Sequence, residues 1–330
     1  MKRFLVALLG MILIVGVCYG VYTFLTKDAG ETPTPNPNIS EQENNNPNGN
    51  ENQAFVIGQA EAIFTEENYP RIDGSTATIP LSEAFKAEFL GKGLNDVSVV
   101  HNTTHNAYVN LVDGNADLIL VTYPSEEELQ YAKDQGVDLE IVPVVNEAFV
   151  FYTNEKNPVK SLTLEQIQKI YTGEITNWSE VGGNDVEIKA YQREPNSGSQ
   201  TGMLKLVMNG LELMEPPKED IIETMAAIIG LVSDYENGEN AIGYSYYYYA
   251  TTMYDTIDKE VADRIHLLGV NGVEPNNTTI KDGSYPIRTN YYLVYNKAEA
   301  EDSPVRKLAD AMLSENGQKA AEAVGYVGVK

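Results

Sequence analysis

At 330 residues the chain has room for one large domain or two ordinary ones with proper cores. Asp and Glu outnumber Lys and Arg by 48 to 23, a formal net charge of −25. That excludes a nucleic-acid partner and an anionic-membrane surface, which need basic patches, but not a small anion held by backbone N–H groups and one arginine. A single cysteine, Cys18, with His101, His105 and His266 as the histidines, excludes a structural disulfide, a Cys/His metal cluster and Cys–His catalysis; no cofactor is expected.

Taken in chain order, residues 4–25 form an uncharged apolar run flanked by Lys2, Arg3 and Lys27. About 20 such residues suffice to span a bilayer as a helix, whereas a cleaved signal has a shorter apolar core. Segment 1–27 therefore reads as a membrane anchor or signal segment, with Lys2 and Arg3 keeping the N-terminus inside and the rest outside. Cys18 raises lipidation as an alternative, against which Val17 stands where Gly, Ala or Ser is usual and the run stays apolar beyond Cys18. Either way the expected location is the extracytoplasmic face of the cell membrane. Residues 28–53, rich in Pro, Asn, Gly and Glu, cannot bury enough surface to fold and read as a disordered linker. Its root-mean-square reach is about 30 Å.

From about Ala54 helix-like and strand-like patterns alternate. Leu81, Ala84, Phe85 and Phe89 share a helical face that Gly91 ends. DVSVV (96–100) alternates like a strand, Tyr108, Leu111 and Val112 mark a helix closed by Gly114, and DLILV (117–121) reads as a buried parallel strand. Ser125 before three glutamates is a helix start, and LEIVPVV and EAFVFYT are two strand candidates across 139–153. Thr163 and Gln166 form a capping box for a helix that Gly173 stops. DVEIKAY (185–191) is a strand; Met203, Leu204, Val207 and Met208 recur at helical spacing. AIGY (241–244), IHLLGV (265–270) and YYLVY (291–295) are strands, and Ser303-Pro304 opens a last helix through Met312. This rhythm predicts an α/β fold.

Three strand-to-helix connections carry small hydrogen-bonding residues. QREPNSGSQTGM (192–203) combines Arg193 with Ser197, Gly198, Ser199 and Thr201 just before a helix. The unpaired N–H groups at a helix start, the hydroxyls and a guanidinium fork are the parts of an anion cradle; a plain helix cap with a surface arginine uses the same residues. No lysine follows the last glycine, so it is not a nucleotide-hydrolysing P-loop. DGSTATIPL (73–81), with Ser75 and Thr76, and HNTTHNAY (101–108), with Thr103 and Thr104, repeat the design. Each alone reads as a cap; together they fit one crevice at the carboxyl ends of strands. His105 reads as a polar residue of a first helical turn before it reads as a ligand donor, and the run YSYYYYA (244–250) as packing before ring stacking.

IYTGEITNWSEVGG (170–183) followed by QREPNSGSQTGM closely resembles the phosphate-binding proteins of bacterial ABC-type phosphate importers, and DGSTATIPL, NAYVNLVDGNADLIL and AIGY extend the resemblance from about residue 55 to the end. The resemblance implies a two-lobed, type II periplasmic-binding-protein-like fold that closes on its ligand. The first lobe would comprise 54–148 and 247–330, the second 149–246, with EAFVFYT and AIGYSYYYY as the two hinge crossings. It implies inorganic phosphate as ligand, the membrane subunits of an ABC importer as partner, a monomer, and no catalysis. Carried over residue by residue, it assigns anion contacts to Ser75 and Thr76, to Thr103 or Thr104, and to Arg193, Ser197, Gly198 and Ser199. One position departs from the family: Thr122 stands where its phosphate binders usually carry an aspartate that accepts the ligand's proton. Discrimination against sulfate is expected to weaken unless Glu194 or another acid takes over. The alternatives are a sensor or scavenger of another oxyanion or small anionic metabolite, and a phosphate-ester hydrolase using Ser197 or Ser199.

Overall fold

The structure, a computed structural model, describes residues 55–234 and 238–329, which lie in the compact unit Gln53–Lys330. The anchor, linker and Cys18 expectations fall outside the described residues. Among the described residues no helix is long and apolar enough to cross a membrane.

Two short strands, β1 (Ile72–Gly74) and β2 (Leu118–Val121), pair in parallel, and all four residues of β2 are buried. Between them lie α1 (Ile79–Leu90), which carries Pro80 in its first turn and stops at Gly91 with φ 62°, and α2 (Thr104–Val112). DVSVV is not a strand. Residues 97–100 alternate between half-buried and exposed as the sequence pattern requires, but no neighbouring strand pairs with them. Period-2 alternation reports extended backbone and one-sided burial; a ladder partner has to come from the topology. Helix α3 (Glu126–Asp134) has the reciprocal Ser125–Glu128 capping box.

The two strand candidates across 139–153 are one 16-residue strand, β3 (Leu139–Asn154). Pro143, which donates no ladder hydrogen bond, sits opposite Tyr292 at the register shift between Tyr291 and Tyr292, so the irregularity absorbs it. The expected DVEIKAY strand shrinks to the two residues of β4 (Lys189–Ala190), whereas the AIGY strand extends to Tyr246 as β5 (Ala241–Tyr246). After Tyr191 the chain leaves this sheet, and Gln192–Arg193 pairs in parallel with Ile221–Ile222. With β6 (Ile265–Leu267), β7 (Arg288–Asn296) and β8 (Val327–Gly328) the sheet has eight strands, along the path β1-β2-β7-β3-β5-β4, with β6 and β8 pairing β3 off it.

β3 changes partner at its middle. Leu139 to Ala148 pairs with β7, and Phe149 to Thr153 pairs with β5, so one strand joins two halves of the sheet. Ile265–Leu267, from the range that sequence assigns to the first lobe, pairs with Tyr152–Asn154 in the second half. The helices that cover the second half begin with α4 (Leu164–Thr172), capped as expected. α5 (Gly198–Gly202) continues as a π-helical stretch, Met203–Met208, whose Leu204 is exposed although the spacing placed it on the apolar face. α6 (Met225–Ser233) has no counterpart in the sequence reading, because MAAIIGLVS is apolar on nearly every side and shows no period. The helices α7 (Pro304–Met312) and α8 (Glu315–Ala323) come last before β8. The core of the second half is aromatic: Phe149, Phe151, Tyr171 and Tyr244 form edge and tilted contacts, and buried Trp178 donates its indole N–H to the Asn240 carbonyl at 2.8 Å.

At the partner change sits a buried acid. Glu147 accepts from the backbone N–H of Ala148 at 2.8 Å and of Tyr248 at 3.3 Å, tying β3 to the chain just past β5. Burial pushes its pKa up to about 8, against the pull of these N–H donors and the Tyr291 phenol. The folded protein therefore keeps a proton that the unfolded chain gives up near 4.5, and stability falls as pH rises from about 5 to 8. Glu147→Gln is expected to flatten that slope by roughly 1–4 kcal/mol, measured as denaturant unfolding at pH 5 and pH 8.5; parallel pH profiles for the two proteins would show that Glu147 is ionised in the fold.

Candidate anion-binding site

The site is assembled where strands end. β1 hands over to Ser75, whose N–H donates to the Leu120 carbonyl at 3.0 Å. Asp73, the last side chain before that loop, is buried and accepts from Gly74 N–H at 2.7 Å, Asn102 N–H at 2.7 Å, Asn102 Nδ2 at 3.0 Å and Asn110 Nδ2 at 2.7 Å. Burial works to raise its pKa, but these donors outweigh it and hold the carboxylate ionised. Asp73 thereby fixes the Ser75 loop against the segment that starts α2. His101 completes the tie, its Nδ1–H donating to the Ser75 carbonyl at 2.8 Å; burial lowers its pKa and favours the neutral ring.

α2 opens without a side-chain cap, and its N-cap residue Thr103 has φ 70°, ψ 166°. A β-branched residue at positive φ is strained by about 1–3 kcal/mol, so the surrounding contacts impose this conformation. Thr104 and Thr122 are both buried, and the Tyr108 phenol donates to the Thr122 carbonyl at 2.8 Å.

The other half supplies Arg193 and the start of α5. Arg193 is 9% exposed, and its side chain donates to three neutral acceptors: the Ile222 carbonyl at 2.9 Å, the Glu223 carbonyl at 2.7 Å and Ser199 Oγ at 2.9 Å. Among the described residues no carboxylate forms an ion pair with it. Burial draws its pKa below the usual arginine value. Gln200 Oε1 accepts from Arg193 N–H at 3.0 Å, so the last residue of the Gln192–Arg193 strand is fixed by the helix that follows. Ser197 Oγ caps α5 through Gln200 N–H at 3.2 Å.

One cavity of about 600 Å³ is lined by Ser75, Thr76, Thr103, Thr104, Thr122, Arg193, Ser197, Gly198 and Ser199, so every expected contact residue reaches the same space. The halves approach each other closely there. A Cβ on Gly198 would lie 2.6 Å from Thr122 Oγ1 and 2.7 Å from Thr104 Oγ1, so only glycine lets the two loops meet. Beside the cavity Asn196 donates to Glu127 and, in a neighbouring pocket, Lys205 pairs with Glu126 at 3.0 Å, linking the Arg193 loop and α5 region to α3. These exposed contacts are worth little individually.

Glu194, raised from sequence as a substitute acid, lines the cavity, and so do Tyr246 and Tyr249, which sequence reading placed in packing only. Tyr246 ends β5 and donates its phenol proton to the Gly198 carbonyl at 2.9 Å, a role its place two residues after Tyr244 on the same strand face could have indicated. The tyrosine run otherwise packs as expected, Tyr248 stacking on Tyr326 with centroids 3.6 Å apart. His105 also lines the cavity, its Nδ1 facing buried Glu128 at 3.2 Å.

Residues 59–315 match the family model described as a PBP superfamily domain. The chain belongs to the PBP superfamily. A solved member from Clostridium perfringens, described as a phosphate ABC transporter substrate-binding protein with bound phosphate, has a TM-score of 0.60 and 29% identity, covering 80% of this chain and 100% of that one. The phosphate-binding protein PstS of Bacillus subtilis is 28% identical over 252 residues, 75% of this chain and 76% of that protein. That of Borreliella burgdorferi is 30% identical over 193 residues, covering 56% of this chain and 64% of its own length. The mixed α/β architecture read from sequence is thus that of the PBP superfamily, and the resemblance to phosphate-binding proteins holds across relatives that carry that name.

Gly198→Ala tests the close approach. The variant is expected to fold, with a destabilisation of about 1–3 kcal/mol at most, yet to weaken anion binding at least tenfold by pushing the two loops apart. Binding equal to wild type in a titration would show that the loops separate without consequence.

Proposed function

We propose that this chain is an extracytoplasmic, membrane-tethered solute-binding protein that captures inorganic phosphate between the two halves of its fold and hands it to the membrane subunits of an ABC importer. One observation carries the reading: a buried guanidinium satisfied only by neutral oxygens faces hydroxyls from both halves across one cavity. A buried cation without a counter-charge is costly unless an anion completes it. Phosphate is named because relatives called phosphate-binding proteins, and a solved neighbour holding phosphate, share the fold over most of this chain. In this reading the halves act as lobes that close on the ligand, with β3 and the chain around β5 crossing between them, and the protein works as a monomer without a cofactor.

Capture without chemistry fits the hydroxyls. Ser199 Oγ accepts from Arg193 and Ser197 Oγ accepts from Gln200 N–H, and among the described residues neither hydroxyl is bonded to a carboxylate or imidazole that could take its proton. Among the described residues the hydrolase alternative therefore finds no base bonded to either serine. The size of the cavity, about 600 Å³, favours a second reading in which a larger phosphate-bearing or anionic metabolite is the ligand, since pockets of this volume hold drug-sized molecules.

Calorimetric titration of the full chain with phosphate, arsenate and sulfate decides between them. Phosphate is expected to bind below millimolar concentration, and Arg193→Ala to cost about 2–5 kcal/mol of that binding. Absence of binding by every oxyanion would move the assignment to the larger anion, and an unchanged affinity in Arg193→Ala would place the site elsewhere.

A further inference from the structure

His105 lies in the first turn of α2 and borders the cavity without serving as a cap or as a partner of Arg193. Its Nδ1 faces Glu128 Oε1 at 3.2 Å. The Glu128 side chain is 1% exposed, and its other oxygen accepts the Ser125 N–H at 2.7 Å, so the carboxyl is held in place by the start of α3. The His105 side chain is 40% exposed, and among the described residues nothing hydrogen-bonds its Nε2. The imidazole is therefore anchored on one edge and open on the other, beside the cavity that carries Arg193.

An imidazole is the side chain that gains or loses a proton near neutral pH, so its surroundings decide its charge. The N-terminal end of α2 carries partial positive charge and Arg193 brings a full one to the same cavity; both oppose a charged ring. Glu128 favours it, because its oxygen accepts from Nδ1–H. Burial raises the Glu128 pKa while the Ser125 N–H and His105 pull it back, so the two side chains titrate as a pair. Glu194 and Glu223 line the cavity and Glu127 stands beside it, bonded to Asn196; these acids are present with or without a ligand. The phenols of Tyr246, Tyr249 and Tyr291 stay neutral, since burial raises the pKa of each. An oxyanion bound against Arg193 is the one further charge that would tip this balance toward a charged ring.

We propose that His105, backed by Glu128, is a proton-linked contact of the anion: binding draws a proton from solvent onto the His105–Glu128 pair, which then presents Nε2–H as a second cationic donor to the ligand. The incoming proton sits on Nε2, Nδ1–H stays on Glu128, and the added positive charge offsets part of the negative charge that the ligand brings into the cavity. A group that holds its proton more tightly in the complex strengthens binding as pH falls, because the linkage is reciprocal. Glu128 is a positioning residue: it acts through His105 and not on the anion itself. The proposal rests on the phosphate reading, and its test separates the two.

The test is titration of the full chain with phosphate at pH 6 and pH 8, in wild type, His105→Gln and Glu128→Gln. Phosphate changes its own ionisation over this range, so the quantity read is wild-type affinity divided by variant affinity at each pH, in which the ligand's ionisation cancels. For His105→Gln this quotient is expected to be roughly tenfold larger at pH 6 than at pH 8, the scale of one charge-assisted hydrogen bond. Glu128→Gln keeps an oxygen for the Ser125 N–H but supplies no negative charge, and is expected to lose most of the same gain. Titrations at pH 7 in buffers of different ionisation heat count the protons exchanged, and wild type is expected to take up more than His105→Gln does. A quotient equal at both pH values, or equal proton uptake in wild type and His105→Gln, would overturn the role of His105 and leave the phosphate reading standing. A Glu128→Gln protein with the full wild-type gain would overturn the pairing. Failure of wild type to bind phosphate at either pH would overturn both.

Discussion

The buried charge of Arg193 is the constraint around which the rest of the molecule is arranged. Taking a guanidinium out of water costs several kcal/mol, and here carbonyl and hydroxyl oxygens repay only part of it. An acid placed against Arg193 would neutralise it permanently and fill the site. The chain instead meets that charge with the Ile222 and Glu223 carbonyls and Ser199, and keeps the carboxylates of Glu194 and Glu223, which line the same cavity, out of ion-pair contact with it. The overall charge of −25 makes this separation significant, because a long-range field that repels anions has to be overcome by a local arrangement of donors.

Geometry supplies that arrangement by bringing strand ends together. Ser75 follows β1, Thr122 follows β2, and Tyr246 is the last residue of β5. The long strand β3 connects the half that carries Ser75 and Thr122 with the half that carries Arg193, and Glu147 at its midpoint ties it to the chain leaving β5. Gly198 then permits the two loops to touch. Local features serve the same end: Asp73 spends its carboxylate on the backbone and amides of the α2 entry loop, and Thr103 holds a backbone conformation that its side chain disfavours. Rigid positioning of this kind lowers the ordering cost of capturing a small ligand.

Much of this was legible in the sequence. Caps at Ser125, Thr163 and Ser303, the stops at Gly91 and Gly173, and the α/β rhythm follow from local chemistry and appear in the structure. The candidate contact residues were legible because small hydroxyl residues, glycine and arginine recurred at strand-to-helix connections. What local pattern could not supply was pairing and proximity. DVSVV had the alternation of a strand but no neighbour, β3 read as two strands divided at the polar Asn146, and α6 lacked a period because it is apolar on nearly all sides. Asp73 and Tyr246 were missed as organisers for the same reason. Their importance lies in partners distant in sequence, Asn102 and Asn110 for one and Gly198 for the other.

The central claim is that loops from both halves converge on one anion whose charge is met by Arg193. A crystal structure of the full chain grown with phosphate tests it most directly. The account predicts phosphate in the cavity, with oxygens within hydrogen-bond distance of the Arg193 guanidinium and Ser199 on one side and of Thr104 and Thr122 on the other. A cavity without phosphate, or phosphate bound elsewhere while Arg193 keeps only its neutral partners, would contradict it.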